Sequence, residues 1–191
     1  MATKRFLVLV LVCVAAVAIG GCGSSSTSSG PQAYTQDTLD SDTVWAVNTG
    51  MVSIYNNNLA GKPTGSQNMP NKNCALGGTV SITGTTTYDS IHGITTVDLT
   101  YALSNCRFTS ASGSLSVTLT MNGTMTHSGF FSSSSKDEIF SSNGANVSIV
   151  GTAERTGYID GTINENCTYY AQSKTSSVTG SICGRDVSWT Y

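Results

Sequence analysis

The chain has 191 residues, of which only 10% are charged, with 9 Lys and Arg against 11 Asp and Glu and a formal net charge of −2. So thin and weakly acidic a charge gives no electrostatic footprint for a phosphate backbone, which excludes nucleic acid as an expected partner. Apolar residues make up 39% and alternate with polar ones instead of gathering in helical blocks, and only 3 prolines accompany 20 glycines. That pattern predicts β-structure.

The first segment reads as a signal sequence. Lys4 and Arg5 precede an uncharged apolar run from Phe6 to Ile19, which ends in Ile19-Gly20-Gly21-Cys22. Basic start, apolar core and small residues at the cut form the secretory layout. A membrane span needs about 20 apolar residues, whereas this run stops short of that and meets a Ser/Thr stretch with no basic stop-transfer residues. The branched aliphatic residue three before Cys22, with glycines between, resembles the lipobox of bacterial lipoproteins. The resemblance implies diacylglycerol transfer to the Cys22 sulfur, cleavage before Cys22, acylation of the new amine, and so a membrane partner through a lipid anchor. Gly23, in place of the aspartate associated with inner-membrane retention, implies the outer membrane of a Gram-negative bacterium. The competing reading is an ordinary signal peptide cut beside Cys22. Cys13 lies inside the apolar run and carries no role.

Three parts follow: a signal peptide over 1–21, a lipidated cysteine and linker over 22–37, and a single β-rich domain over 38–191. The Ser/Thr/Gly-rich stretch Gly23 to Gln36 is too poor in apolar surface to fold. Its length gives a tether of about 20 Å root-mean-square.

The domain opens with a predicted helix. Val44, Val47, Met51, Ile54/Tyr55 and Leu59 follow the i, i+3/i+4, i+7 rhythm. Ser41 is the expected N-cap, with Asp40 and Asp42 placed where acids suit a helix N-terminus. Gly50 weakens the helix by about 1 kcal/mol relative to alanine. No basic residue lies between Thr38 and Leu59, so the apolar face, Trp45 included, is expected on a sheet and not on a membrane surface.

From Gly78 onward the period changes to two. Val80, Ile82 and Tyr88 form one run; Val97 to Leu103 a second; Leu115 to Met125 a third; Val147 and Ile149 a fourth. Tyr158, Ile163, Cys167 and Tyr169 follow, then Val178, Ile182, Val187, Trp189 and Tyr191. Short connections rich in Gly, Ser, Asp and Asn make this an antiparallel meander. Glycine recurs within the runs at Gly84, Gly123, Gly151, Gly161 and Gly180, each followed by Thr or Ser. Such glycines permit bulges and bends, so the expected fold is mainly β: a strongly curved antiparallel meander, like an incomplete barrel, with one helix packed on it.

Four cysteines remain, Cys74, Cys106, Cys167 and Cys183, and an exported setting favours disulfides. Opposed residues of a hairpin have a constant index sum. A turn at Lys174-Thr175-Ser176 opposes Cys167 to Cys183, and a turn at Asp89-Ser90-Ile91 opposes Cys74 to Cys106. The spacings lack the paired C-x₂₋₄-C arrangement of zinc modules and no EF-hand pattern is present, so neither metal nor cofactor is expected.

The residues offer no catalytic constellation. His92 sits in a turn and His127 near a strand end, both expected at the surface, and no serine lies in a G-x-S-x-G elbow. Asp137, Glu138, Glu154, Asp160 and Glu165 include carboxylates enough for glycosidic chemistry, yet nothing separates them from solvated residues. Among the aromatics Tyr158, Tyr169, Tyr170, Trp189 and Tyr191, core packing is expected for Tyr169, Trp189 and Tyr191, while Tyr170 points outward and is the best candidate to stack on a sugar ring. The stretches Cys74 to Gly84, Leu103-Ser104-Asn105-Cys106 and Ser181 to Arg185 resemble segments of uncharacterised Ser/Thr/Gly-rich lipoproteins of Gram-negative bacteria. That resemblance implies an envelope lipoprotein and no particular activity. The expected role is structural or binding, and non-enzymatic. The alternatives are a carrier or sensor of an apolar ligand held in a curved sheet, and surface adhesion or glycan binding.

Overall fold

The computed structural model describes residues 30–61, 64–132 and 138–190. Cys22 and all of the linker before Gly30 lie outside them. One helix, α1 (Gln36–Asn58), precedes eight strands: β1 (Gly65–Asn73), β2 (Thr79–Asp89), β3 (Ile94–Ser112), β4 (Leu115–Ser132), β5 (Glu138–Arg155), β6 (Gly161–Lys174), β7 (Ser177–Ile182) and β8 (Arg185–Thr190). All pairings are antiparallel, in the order β1 to β8. β1 and β8 are edges, so the sheet is not closed. What stands of the expected curved, incomplete barrel is its coarser form, an open antiparallel meander with one helix on it.

The helix starts earlier than its apolar rhythm predicts. Thr35 is the N-cap, its hydroxyl accepting from the Thr38 amide at 3.2 Å, and Asp37 supplies the acid of the first turn. Ser41 therefore caps nothing. Asp40 and Asp42 fall in the second turn and are buried, because each has an arginine partner from the sheet. Residues Gln32 and Tyr34, within the expected linker, are also attached: Gln32 bridges Tyr158, and the Tyr34 ring lies 5.1 Å from that of Tyr158. Burial runs without a break from Asp42 to Asn48, wider than a single apolar stripe. Gly50 has a positive reason to be in a helix: a Cβ there would lie 2.2 Å from the Phe108 ring. Trp45 stacks on Trp189 at 5.5 Å and Tyr55 on Phe131 at 4.6 Å, so the helix packs on the sheet as its sequence predicts.

β1 has no period-two apolar pattern, only Gln67 and Met69 turned inward, and it escapes sequence reading for that reason. Its Pro70 lacks the amide of a ladder donor, which suits an edge. Tyr158 sits in the turn between β5 and β6, not in a strand.

Bulges occur on alternate strands. The register slips by one residue at Pro70 and Asn71 of β1, at Ser104 and Asn105 of β3, and at Ala145 and Asn146 of β5. Each slip leaves backbone groups unpaired, and a side chain of the unbulged neighbour answers. Ser81 accepts from the Asn71 amide at 3.2 Å, Asn122 from the Asn105 amide at 2.7 Å, and Thr168 donates to the Ala145 carbonyl at 3.1 Å. Asn71 and Asn105 adopt left-handed φ of 49° and 46°, which asparagine tolerates better than most residues. The recurrent glycines have a related purpose. At Gly84, Gly123, Gly151 and Gly180 an added Cβ would lie 1.9 to 2.6 Å from a carbonyl oxygen of a paired strand, whereas at Gly161 it would meet Leu39 and Tyr34.

Both disulfides are present, Cys74–Cys106 and Cys167–Cys183. The registers used to deduce them differ from those in the sheet. The β2–β3 hairpin turns through Ser90–Gly93, pairing Asp89 with Ile94, so Cys74 lies outside β2, in the β1–β2 turn, and the bond reaches past β2 to β3. Likewise β6 and β7 pair Lys174 with Ser177, and Cys183 lies beyond the ladder in the β7–β8 turn, with φ of 52°.

Candidate functional site

Alternation gives the sheet two unlike faces. The face under the helix holds the core, including Ile82, Leu99, Tyr101, Leu119, Met121, Ile149 and Tyr169. The other face has no element over it among the described residues, and the register aligns its side chains into rows.

One row crosses all eight strands: Asn68, Thr83, Thr100 and Thr126 on β1 to β4, then Asn143, Tyr170, Ser181 and Asp186 on β5 to β8. A second, two residues along, runs Ser66, Thr85, Asp98 and Ser128, then Ser141, Gln172, Thr179 and Ser188. Every one of these positions is exposed or half-buried. Their only ionisable groups other than the Tyr170 phenol are Asp98 and Asp186, so the rows present hydroxyls and amides. Beyond the bulges a shorter row holds four threonines, Thr109, Thr118, Thr152 and Thr162, the first two joined by a 2.8 Å bond between hydroxyls. Tyr170 lies in the first row, 40% exposed, as its outward phase predicts.

The remaining aromatics are absorbed into structure. Tyr169 is buried and its hydroxyl donates to the Val44 carbonyl at 3.3 Å. Trp189 is stacked on the helix, Tyr158 packs on Tyr34 with the Arg155 guanidinium 5.8 Å above its ring, and Tyr191 lies outside the described residues.

Two ion pairs, each joining a buried carboxylate to a half-exposed arginine, tie the helix to the sheet, and sequence reading missed both. Arg185 holds Asp40 with two bonds, at 2.6 and 3.0 Å, and reaches Glu165 at 2.7 Å. Arg155 holds Asp42. The bonds to Asp40 raise the pKa of Arg185 above its ordinary value. Asp42 is shifted upward, because burial outweighs the attraction of Arg155. The signal for Arg155 was present in the alternation: it shares the phase of Val147, Ile149 and Ala153, which point inward.

His92 is exposed and bonded to Asp89 at 2.6 Å, as a turn residue should be, and that bond holds the Asp89 carboxyl below its usual range. His127 is the opposite of the expectation: it is fully buried, in register with Leu99 in mid-sheet, and the Tyr101 hydroxyl meets its Nδ1 at 3.3 Å. Burial lowers its pKa to about 4 and raises that of Tyr101. β4 continues to Ser132, so the run that seemed to end near His127 places it in the core.

Of the carboxylates considered for catalysis, Glu165 is bound to Arg185. Asp137 and the Glu138 side chain lie outside what is described. Glu165, Cys167 and Cys183 lie together within metal-ligand distance, but both sulfurs are spent in the disulfide and offer no thiolate.

Two clefts flank the helix. One of about 390 Å³ lies at its C-terminus, lined by Tyr55, Leu59, Thr86, Thr95 and Tyr88 among others. A second of about 340 Å³ lies at its N-terminal half, between Asp37, Ser41 and Asp42 and the β8 residues Ser188 to Thr190. Comparison with protein-family models, curated proteins and solved structures finds no match.

Proposed function

We propose that this protein is a lipid-anchored, non-enzymatic binding protein of the cell envelope, held at Cys22, whose ligand is a neutral glycan bound on the uncovered face of the sheet. The observation that carries the reading is the pair of hydroxyl and amide rows crossing all eight strands, with Tyr170 among them. Neutral sugars are recognised by dense hydrogen-bonding groups and by an aromatic ring for the apolar side of a pyranose. A face with few charges suits them better than it suits phosphate or a polyanion.

The anchor rests on Ile19-Gly20-Gly21-Cys22. Labelled palmitate should enter the wild-type chain and not Cys22→Ala; equal labelling contradicts the anchor. For the face, a glycan array probed with wild-type and Tyr170→Ala protein should show reduced binding by the variant. An unaffected profile removes Tyr170 from the site.

The carrier reading keeps one observation in its favour, the cleft beside Tyr55 and Leu59, whose size falls within the range of about 300–1,000 Å³ for small-molecule sites. Six of its eight lining residues carry hydroxyls, Thr64, Thr86, Thr87 and Thr95 with Tyr55 and Tyr88, which fits an apolar ligand poorly. Trp45 and Met51, buried in the core, take up the space an enclosed apolar cavity would need.

A further inference from the structure

We infer that the uncovered face is a track for a single extended, uncharged, β-linked polysaccharide chain lying across the strands, an inference that rests on the glycan reading above and adds the form and direction of the ligand.

The direction comes from the register. Along a strand the outward positions recur every second residue, about 6.8 Å apart; across the strands they recur every 4.7–4.9 Å. An extended β-linked hexose polymer advances per sugar by slightly more than the second of these distances and well short of the first. A chain laid across the strands therefore keeps nearly one sugar to each row position over a few neighbouring strands, and one laid along a strand falls out of step at once. The row from Thr83 through Thr100, Thr126 and Asn143 to Tyr170 supplies three hydroxyls, an amide and a ring on five consecutive strands. Over eight strands such a row is about 34 Å long, from seven strand spacings.

The form of the ligand follows from twist and charge. At the usual right-handed twist of about 20° between adjacent strands, a sheet of eight strands is not a flat platform. A rigid crystalline surface would touch a few strands only. One flexible chain can follow the twist. A charged polymer gains nothing from rows in which Asp98 and Asp186 are the only charges, and a polyanion is repelled by both.

The test is calorimetric titration of the full chain in detergent with β-1,4-linked glucose and N-acetylglucosamine oligomers, from disaccharide to octasaccharide. Affinity should rise at least about tenfold with length and then level off once the chain spans the sheet. Thr100→Glu with Thr126→Glu, at exposed or half-buried positions directly opposed in the sheet, should abolish the gain with length; opposed like charges weaken the pair slightly, so a cooperative melt close to that of wild type is the check that the fold is kept. Binding independent of length overturns the track and leaves the glycan reading standing. Capture by crystalline cellulose or chitin without binding of soluble oligomers overturns the single-chain form. If no oligomer and no array glycan binds, the track falls together with the reading it rests on.

Discussion

A buried imidazole gives the most specific residue-scale consequence. His127 has an ordinary pKa of 6.5 and a value of about 4 in the fold, lowered by burial. Between those values the unfolded chain takes up a proton that the folded one refuses. Stability from this group is complete above pH 6.5 and is lost as pH falls toward 4, by at most a few kcal/mol at about 1.4 kcal/mol per pKa unit. His127→Gln keeps a hydrogen-bonding group near Tyr101 and cannot titrate, so denaturant melts should show a shallower fall in stability over that interval. The upward-shifted Asp42 acts in the opposite sense in acid but is common to both proteins and cancels in the comparison. An equal slope would place the acid sensitivity elsewhere. The sequence made His127 look exposed because the apolar run Leu115 to Met125 stops just before it. Asp40 and Asp42 misled in a similar way, since acids near a helix start satisfy the dipole argument whether or not arginines of the sheet await them. Such pairings join residues far apart in the chain, Asp40 with Arg185 and Asp42 with Arg155, and no local pattern marks them.

At the scale of elements, the bulges decide what could be read. Period-two alternation located β2 to β6 and read β7 and β8 as one final run, because a half-buried strand must alternate. It gave neither their length nor their register. Bulges at Asn71, Asn105 and Asn146 each shift the count by one, and the β2–β3 turn proved longer than assumed, so the cysteine pairs were found from registers that the sheet does not have. The glycines are where element and residue meet. In Gly151→Ala the new methyl would sit 1.9 Å from the Thr118 carbonyl, and the overpacking should cost about 1–3 kcal/mol or more. Gly113, in the β3–β4 turn, has φ of +55° and open space around it, so Gly113→Ala should cost only the left-handed penalty of about 1–2 kcal/mol. Chemical denaturation of both variants checks the order, and a larger loss for Gly113→Ala would contradict the close-approach account. The disulfides act on the same elements. Cys167–Cys183 joins residues 16 apart and should contribute about 3 kcal/mol, with Cys74–Cys106, at 32, a few tenths more. Reduction should therefore lower the melting temperature of the oxidised protein, and an unchanged melt would show that neither bond constrains the unfolded chain.

For the whole molecule, fold class followed from composition and period. The rows on the uncovered face did not, because a row is made of residues from eight strands and exists only once every register is fixed. Thr83, Thr100 and Thr126 are three unremarkable threonines in the sequence and neighbours in the sheet. Binding through that face is the central claim. The most direct test compares retention of the full chain on an immobilised neutral β-glucan for wild type, for Thr100→Glu with Thr126→Glu, and for Ser90→Glu in the β2–β3 turn as a charge control. Wild type and the turn variant should be retained alike while the face variant elutes in the void with a cooperative melt that shows it still folded. Equal retention of all three, or loss caused by the turn variant alone, would contradict binding through the face.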